Sequence, residues 1–102
     1  MDAQPRRLEP KVAREHVLAG DALLVCAYDS PVSFPKFPLP GAIPLERLRQ
    51  LEPELARDTE LVFYCRCPND KTSIERAREY LARGFPNSCA LSGGFLAYPR
   101  SR

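Results

Sequence analysis

The sequence predicts an α/β domain built on a small parallel β-sheet with helices on both faces. Three observations carry this expectation. Short, continuously apolar runs recur at 22–27, 61–65 and 89–91, as strands buried on both faces do. Amphipathic stretches with helix start and stop signals separate them. The 102 residues, 44% hydrophobic and 27% charged, suit one ordinary globular domain and are too few for two.

The elements follow in order. Residues 1–7 read as a tail, and the domain proper spans 8–102. Glu9 to Ala19 is a first helix: Pro10 suits its first turn, Val12, Val17 and Leu18 are its apolar positions, and Gly20 stops it. Ala22 to Ala27 is a strand. Residues 29–41 form a loop, because Pro31, Pro35, Pro38 and Pro40 at that density forbid a helix. Phe34 and Phe37 within it are expected to pack onto the body. Pro44 opens a second helix in which Leu45, Leu48 and Leu51 share a face, and Pro53 ends it. Glu60 to Cys65 or Cys67 is the next strand. Thr72-Ser73-Ile74-Glu75 fits a capping box for a third helix, with Ile74, Ala77 and Leu81 inward and Gly84 as a left-handed stop. Cys89 to Leu91 is a last strand, and Gly93-Gly94 turns into a short closing helix.

Function concentrates where the apolar run Leu61-Val62-Phe63-Tyr64 enters Cys65-Arg66-Cys67-Pro68-Asn69-Asp70-Lys71-Thr72-Ser73. A strand, a polar loop carrying thiols and a helix start follow one another. That order aims sulfur at backbone N–H groups and the positive end of a helix dipole, which stabilises a thiolate or a bound anion. In parallel sheets such a loop lies beyond the carboxyl ends of the strands, where ligands bind.

Composition narrows the classes. A formal charge of +2 with no isolated Lys/Arg block argues against nucleic acid as a partner. No apolar run is long enough to span a membrane, and the segment Met1 to Arg7 lacks a signal-peptide core. A cytoplasmic setting is therefore expected, in which four cysteines point to chemistry, metal or burial before disulfides. Cys26 and Cys89, inside apolar runs, are expected to be inert core. A zinc site is disfavoured because no paired Cys-x-x-Cys knuckles occur. His16 is placed far from the loop, against a Cys-His catalytic pair.

Four stretches together resemble the single-domain rhodaneses, the thiosulfate sulfurtransferase-like family. They are Leu23-Leu24-Val25-Cys26, Pro40-Gly41-Ala42-Ile43-Pro44-Leu45, Tyr64-Cys65-Arg66-Cys67 with its loop to Ser73, and Gly84-Phe85 with Gly93-Gly94-Phe95-Leu96-Ala97-Tyr98. The resemblance covers about residues 8 to 99 and implies a persulfide chemistry. A loop cysteine takes sulfur from a small sulfur-containing anion (thiosulfate, a polysulfide or a persulfide) and hands it to a thiol or cyanide, the thiol belonging to a small molecule or a protein. No metal or organic cofactor is implied.

Cys67 and Cys65 are the candidate nucleophiles. Set against the family pattern, the spacing back from the helix and from Gly84-Phe85 resembles the usual one for Cys67, whereas the approach along the strand resembles the usual one for Cys65. If the strand continues, the two share a face. Amides from Asn69 and Asp70 through Lys71, Thr72 and Ser73 are expected to form a nest for the anionic sulfur, with Arg66 or Lys71 drawing in the donor.

The chain also departs from the family pattern. Cys26-Ala27-Tyr28 stands where Asp-Val-Arg is frequent, and the usual Gly-His before Ile-Pro-Gly-Ala is absent. Lys71 or Thr72 replaces a late-loop Arg, which removes bidentate anion binding. A persulfide or polysulfide is therefore expected to serve better than thiosulfate. These departures keep a second reading open, a non-catalytic rhodanese-like binding or regulatory module. A phosphatase or arsenate reductase is disfavoured, since the positions six beyond Cys65 and Cys67 are Lys71 and Ser73.

Overall fold

The computed structural model describes residues 5–29, 33–66 and 68–99. Five strands form one sheet: β1 (Arg6–Leu8), β2 (Ala22–Cys26), β3 (Ala42–Ile43), β4 (Glu60–Tyr64) and β5 (Ser88–Leu91). Their order is β1-β5-β4-β2-β3, and every neighbouring pair runs parallel. The helices are α1 (Pro10–Leu18), α2 (Ser33–Lys36), α3 (Leu45–Leu51), α4 (Lys71–Ala82) and α5 (Gly94–Ala97).

Side chains that alternate along each strand divide the core in two. Leu24, Cys26, Val62, Tyr64, Cys89 and Leu91 face one side, under Ala13 of α1 and with Leu39 and Tyr98. Phe34 and Phe37 pack against this side, as expected of the proline-rich segment. Val25, Leu61 and Phe63 face the other side, beneath Leu45 and Leu48 of α3 and Ala77 and Tyr80 of α4. Burying each such side chain contributes roughly 1.5–3 kcal/mol, so both faces must be covered for strands this apolar. The helix C-terminus at Gly84 (φ +98°) is closed by two bonds, Gly84 N–H to Leu81 O at 3.1 Å and Phe85 N–H to Tyr80 O at 3.0 Å.

The structure revises the sequence reading at several places. Arg6 and Arg7, read as the end of a tail, belong to β1 at the sheet edge, and only Leu8 of that strand is buried. The proline-rich loop contains the single turn α2, with Pro35 in the first turn, where a missing N–H costs no intrahelical bond. Ala42–Ile43 pairs with β2 as a further strand. On α4 the buried stripe is Ser73, Ala77 and Tyr80, one position away from the expected Ile74 and Leu81. No helix among the described residues is long and apolar enough to cross a membrane.

Candidate functional site

The loop that joins β4 to α4 lies at the carboxyl edge of the sheet. Strand β4 ends at Tyr64, so the alternation that would put Cys65 and Cys67 on one face does not extend this far. Cys65 is 1% exposed and packs with Ala27, Phe63 and Ala77 in the core under α3 and α4. Its carbonyl accepts the Phe95 N–H at 2.9 Å. A Cβ on Gly94 would sit 2.1 Å from that same oxygen, so the Gly93-Gly94 turn exists for close backbone approach. The next residue, Arg66, is exposed, and its N–H donates to the Tyr28 hydroxyl at 2.9 Å. Cys67, the favoured nucleophile, lies outside the described residues.

Beyond it the chain makes a tight turn, Pro68–Asp70, in which Asn69 (φ 58°, ψ 22°) and Asp70 (φ 57°, ψ 34°) are both left-handed. Asn and Asp are the side-chain-bearing residues that adopt this region most readily. Lys71 then begins α4. The helix starts earlier than a capping box at Thr72 would place it: Asp70 is the N-cap residue and its side chain makes no cap bond. A left-handed residue followed by a right-handed one turns successive N–H groups toward one concave side, the geometry that receives anions. The α4 dipole reinforces it.

The Asp70 carboxylate, 3% exposed, turns away from its own helix. It accepts from Arg7 Nη2 at 2.6 Å and Nε at 3.2 Å, and from the Gly93 N–H at 3.2 Å. Ser73 is fully buried and its hydroxyl donates to the Asp70 carbonyl at 3.0 Å. Of the predicted site residues, Asp70 and Ser73 therefore commit their side-chain groups to the loop's own scaffold. Arg66, Asn69 and Lys71 are exposed, and Thr72 is half-buried.

Two contributors to this site escaped sequence reasoning. Tyr28 follows β2 at the same sheet edge, and that position was its only signal. Arg7 comes from β1 and carries no local signature at all. Beside Tyr28 a cavity of about 250 Å³ opens, lined also by Asp29, Phe34, Leu45, Glu46 and Arg49. Arg49 donates to both Asp29 carboxylate oxygens, at 2.8 and 3.2 Å, and these bonds hold the Asp29 carboxyl below its ordinary range.

The remaining candidates lie elsewhere. Burial pushes the Cys89 thiol up to about 12 and raises that of Cys26, so both are protonated core residues as expected. Tyr64 is raised by burial too, and its hydroxyl donates to the Phe37 carbonyl at 2.5 Å. His16 Nδ1 lies 2.6 Å from Glu60 Oε1, at the amino end of β4 and away from the loop.

Two solved structures share this architecture. The human single-domain sulfurtransferase TSTD1 superposes with a TM-score of 0.71 at 18% identity, over 89% of this chain and 92% of that one. The fold is that of a rhodanese. Reduced Bacillus anthracis CoADR-RHD, which holds a rhodanese homology domain, matches the rhodanese fold here with a TM-score of 0.67 at 20% identity. The match covers 92% of this chain and 16% of the longer protein. No family sequence model and no curated protein sequence matches the chain. The rhodanese resemblance in the sequence is thus met at the level of architecture.

Proposed function

We propose that this chain is a rhodanese-type sulfurtransferase that carries sulfane sulfur as a persulfide on Cys67. One observation carries the reading: the left-handed Asn69–Asp70 turn feeds the α4 N-terminus at the carboxyl edge of a parallel sheet. The burial of Cys65 supports Cys67 over Cys65, because a sulfur that must meet both donor and acceptor needs access. The sulfurtransferase among the structural neighbours points the same way.

The Cys67 thiolate attacks the outer sulfur of the donor. With thiosulfate, the S–S bond breaks and sulfite leaves with its electron pair. The new outer sulfur is anionic and rests against the amides of Asn69 to Ser73. Arg66 and Lys71 supply the field that attracts an anionic donor. An acceptor thiolate or cyanide then attacks that outer sulfur, and Cys67 departs as a thiolate. Atoms and electrons balance without metal, organic cofactor or external redox partner. A reducing, cytoplasmic setting fits a free thiolate.

Mass spectrometry after exposure to thiosulfate or a polysulfide tests the reading. The protein is expected to gain one sulfur, which Cys67→Ser abolishes and Cys65→Ser does not. No added sulfur with any donor overturns it. That result would favour the second reading, a rhodanese-like binding or regulatory module, for which Lys71 in place of a bidentate Arg speaks.

A further inference from the structure

We infer that the cavity beside Tyr28 is the acceptor subsite, and that it selects a small organic thiol bearing an ammonium group. The inference rests on the sulfur-transfer reading for the word acceptor, whereas the binding preference stands on the cavity alone.

Position comes first. Tyr28 is a wall of the cavity and also receives the Arg66 N–H at 2.9 Å, so the cavity adjoins the opening of the thiol loop. Size comes next. About 250 Å³ is near the lower end of the range for small-molecule pockets and admits a short organic chain. Cyanide would leave it almost empty, and a folded partner would not enter.

Charge then narrows the class. Among the described residues, three charged side chains line the cavity: Asp29, Glu46 and Arg49. Asp29 and Arg49 neutralise one another through two bonds, so Glu46 leaves the wall with a net negative charge. An anionic acceptor meets repulsion there and a cation meets attraction. Tyr28 and Phe34 also line the cavity, and a ring presented to a ligand by its face favours an ammonium group over a carboxylate. Leu45 supplies an apolar surface for the methylene groups of a short chain. The basic loop and the acidic cavity thereby divide the work, with Arg66 and Lys71 drawing an anionic donor and Glu46 a cationic acceptor.

Transfer to such an acceptor is balanced as above. Its thiolate forms a new bond to the outer persulfide sulfur, the bond from that sulfur to Cys67 Sγ breaks, and the electron pair stays on Cys67.

Two measurements on the full chain test the inference. The first uses a probe that accepts no sulfur, 2-(methylthio)ethylamine, followed by amide chemical shifts in NMR. Saturable shifts at Tyr28, Leu45 and Glu46, weakened about threefold by Glu46→Gln because that carboxylate is exposed, are expected. Their absence, or equal shifts from the carboxylate analogue 3-(methylthio)propionate, overturns the subsite whatever the transfer assay gives.

The second measurement compares acceptors. The ratio of kcat/KM for cysteamine to that for 2-mercaptoethanol is expected to fall about threefold in Glu46→Gln, and further in Glu46→Lys. The intrinsic reactivity of each thiol is the same with every variant, so the change in ratio reports the cavity. An unchanged ratio overturns the inference, as does transfer to a cysteine within a blocked, uncharged peptide that matches cysteamine. Probe binding without any sulfur transfer would retain the ammonium site and remove the sulfurtransferase reading instead.

Discussion

Arg7 and Asp70, separated by 63 positions, form a clamp in which the guanidinium meets one carboxylate oxygen at 2.6 and 3.2 Å. The same oxygen accepts the Gly93 N–H, so one buried atom ties the thiol loop to β1 and to the turn before α5.

Truncating the clamp exposes its value. In Arg7→Ala the buried Asp70 carboxylate loses its cation. Because the Arg7 side chain is 49% exposed, solvent screening lowers the cost to about 1–2 kcal/mol, below that of breaking a fully buried pair. Asp70→Asn should cost less than Asp70→Ala, since Asn tolerates the left-handed backbone and still accepts a hydrogen bond. Urea unfolding midpoints give the order. The double variant is expected to lose less than the two single losses added together.

Gly94 and Gly20 make a controlled pair. Both have positive φ, at 64° and 82°, but a Cβ at Gly20 meets open space and one at Gly94 meets the Cys65 carbonyl. Gly20→Ala should therefore cost only the left-handed penalty, about 1–2 kcal/mol. Gly94→Ala must also move the loop's first residue, and its loss should exceed that by about 1 kcal/mol or more. Sulfur uptake should fall in Gly94→Ala and persist in Gly20→Ala.

Thiol titration gives the pH prediction. The folded value for Cys89 lies above its ordinary one, so the folded state holds the proton where the unfolded state releases it. Its contribution is complete below about 9 and is lost as pH rises from there towards about 12, at up to ~1.4 kcal/mol per pH unit. Cys26 acts in the same direction. Thermal unfolding between pH 8 and 11 should show a falling midpoint, less steep in Cys89→Ala. Native alkylation should label neither Cys26 nor Cys89 until the protein unfolds.

Tyr28→Phe keeps the ring and removes the hydroxyl that accepts the Arg66 N–H. Arg66 is exposed, so water replaces the lost partner and stability should drop by no more than about 1 kcal/mol. The loop loses a tether, and kcat for sulfur transfer should fall several-fold while the thermal midpoint drops by no more than about 4–8 °C.

Local chemistry made most of this architecture readable in advance. β2, β4 and β5 are built on short apolar runs, and α1, α3 and α4 have periodic faces that end near a Pro or Gly. What was hidden had little local content. β1 is three residues long with Arg6 and Arg7 outward, so it imitates a tail. β3 has two residues, and α2 sits among prolines. Within the site, the loop's position and Gly93-Gly94 packing were legible, and Cys65 was not resolved from Cys67. The burial of Cys65 was hidden because its neighbours come from distant parts of the chain, such as Phe95, whose N–H meets the Cys65 carbonyl. The Arg7–Asp70 clamp is wholly non-local and left no trace in spacing.

The pairing of β1 with β5 carries a consequence for biosynthesis. Arg7 emerges early from the ribosome, but its neighbour strand and Gly93 emerge some eighty residues later. Until then the Asp70 carboxylate lacks the Gly93 N–H, and Arg7 has no β5 to hold it in place beside that carboxylate. The clamp on this loop therefore forms late among the described contacts, because its partners lie far apart along the chain and must wait for one another.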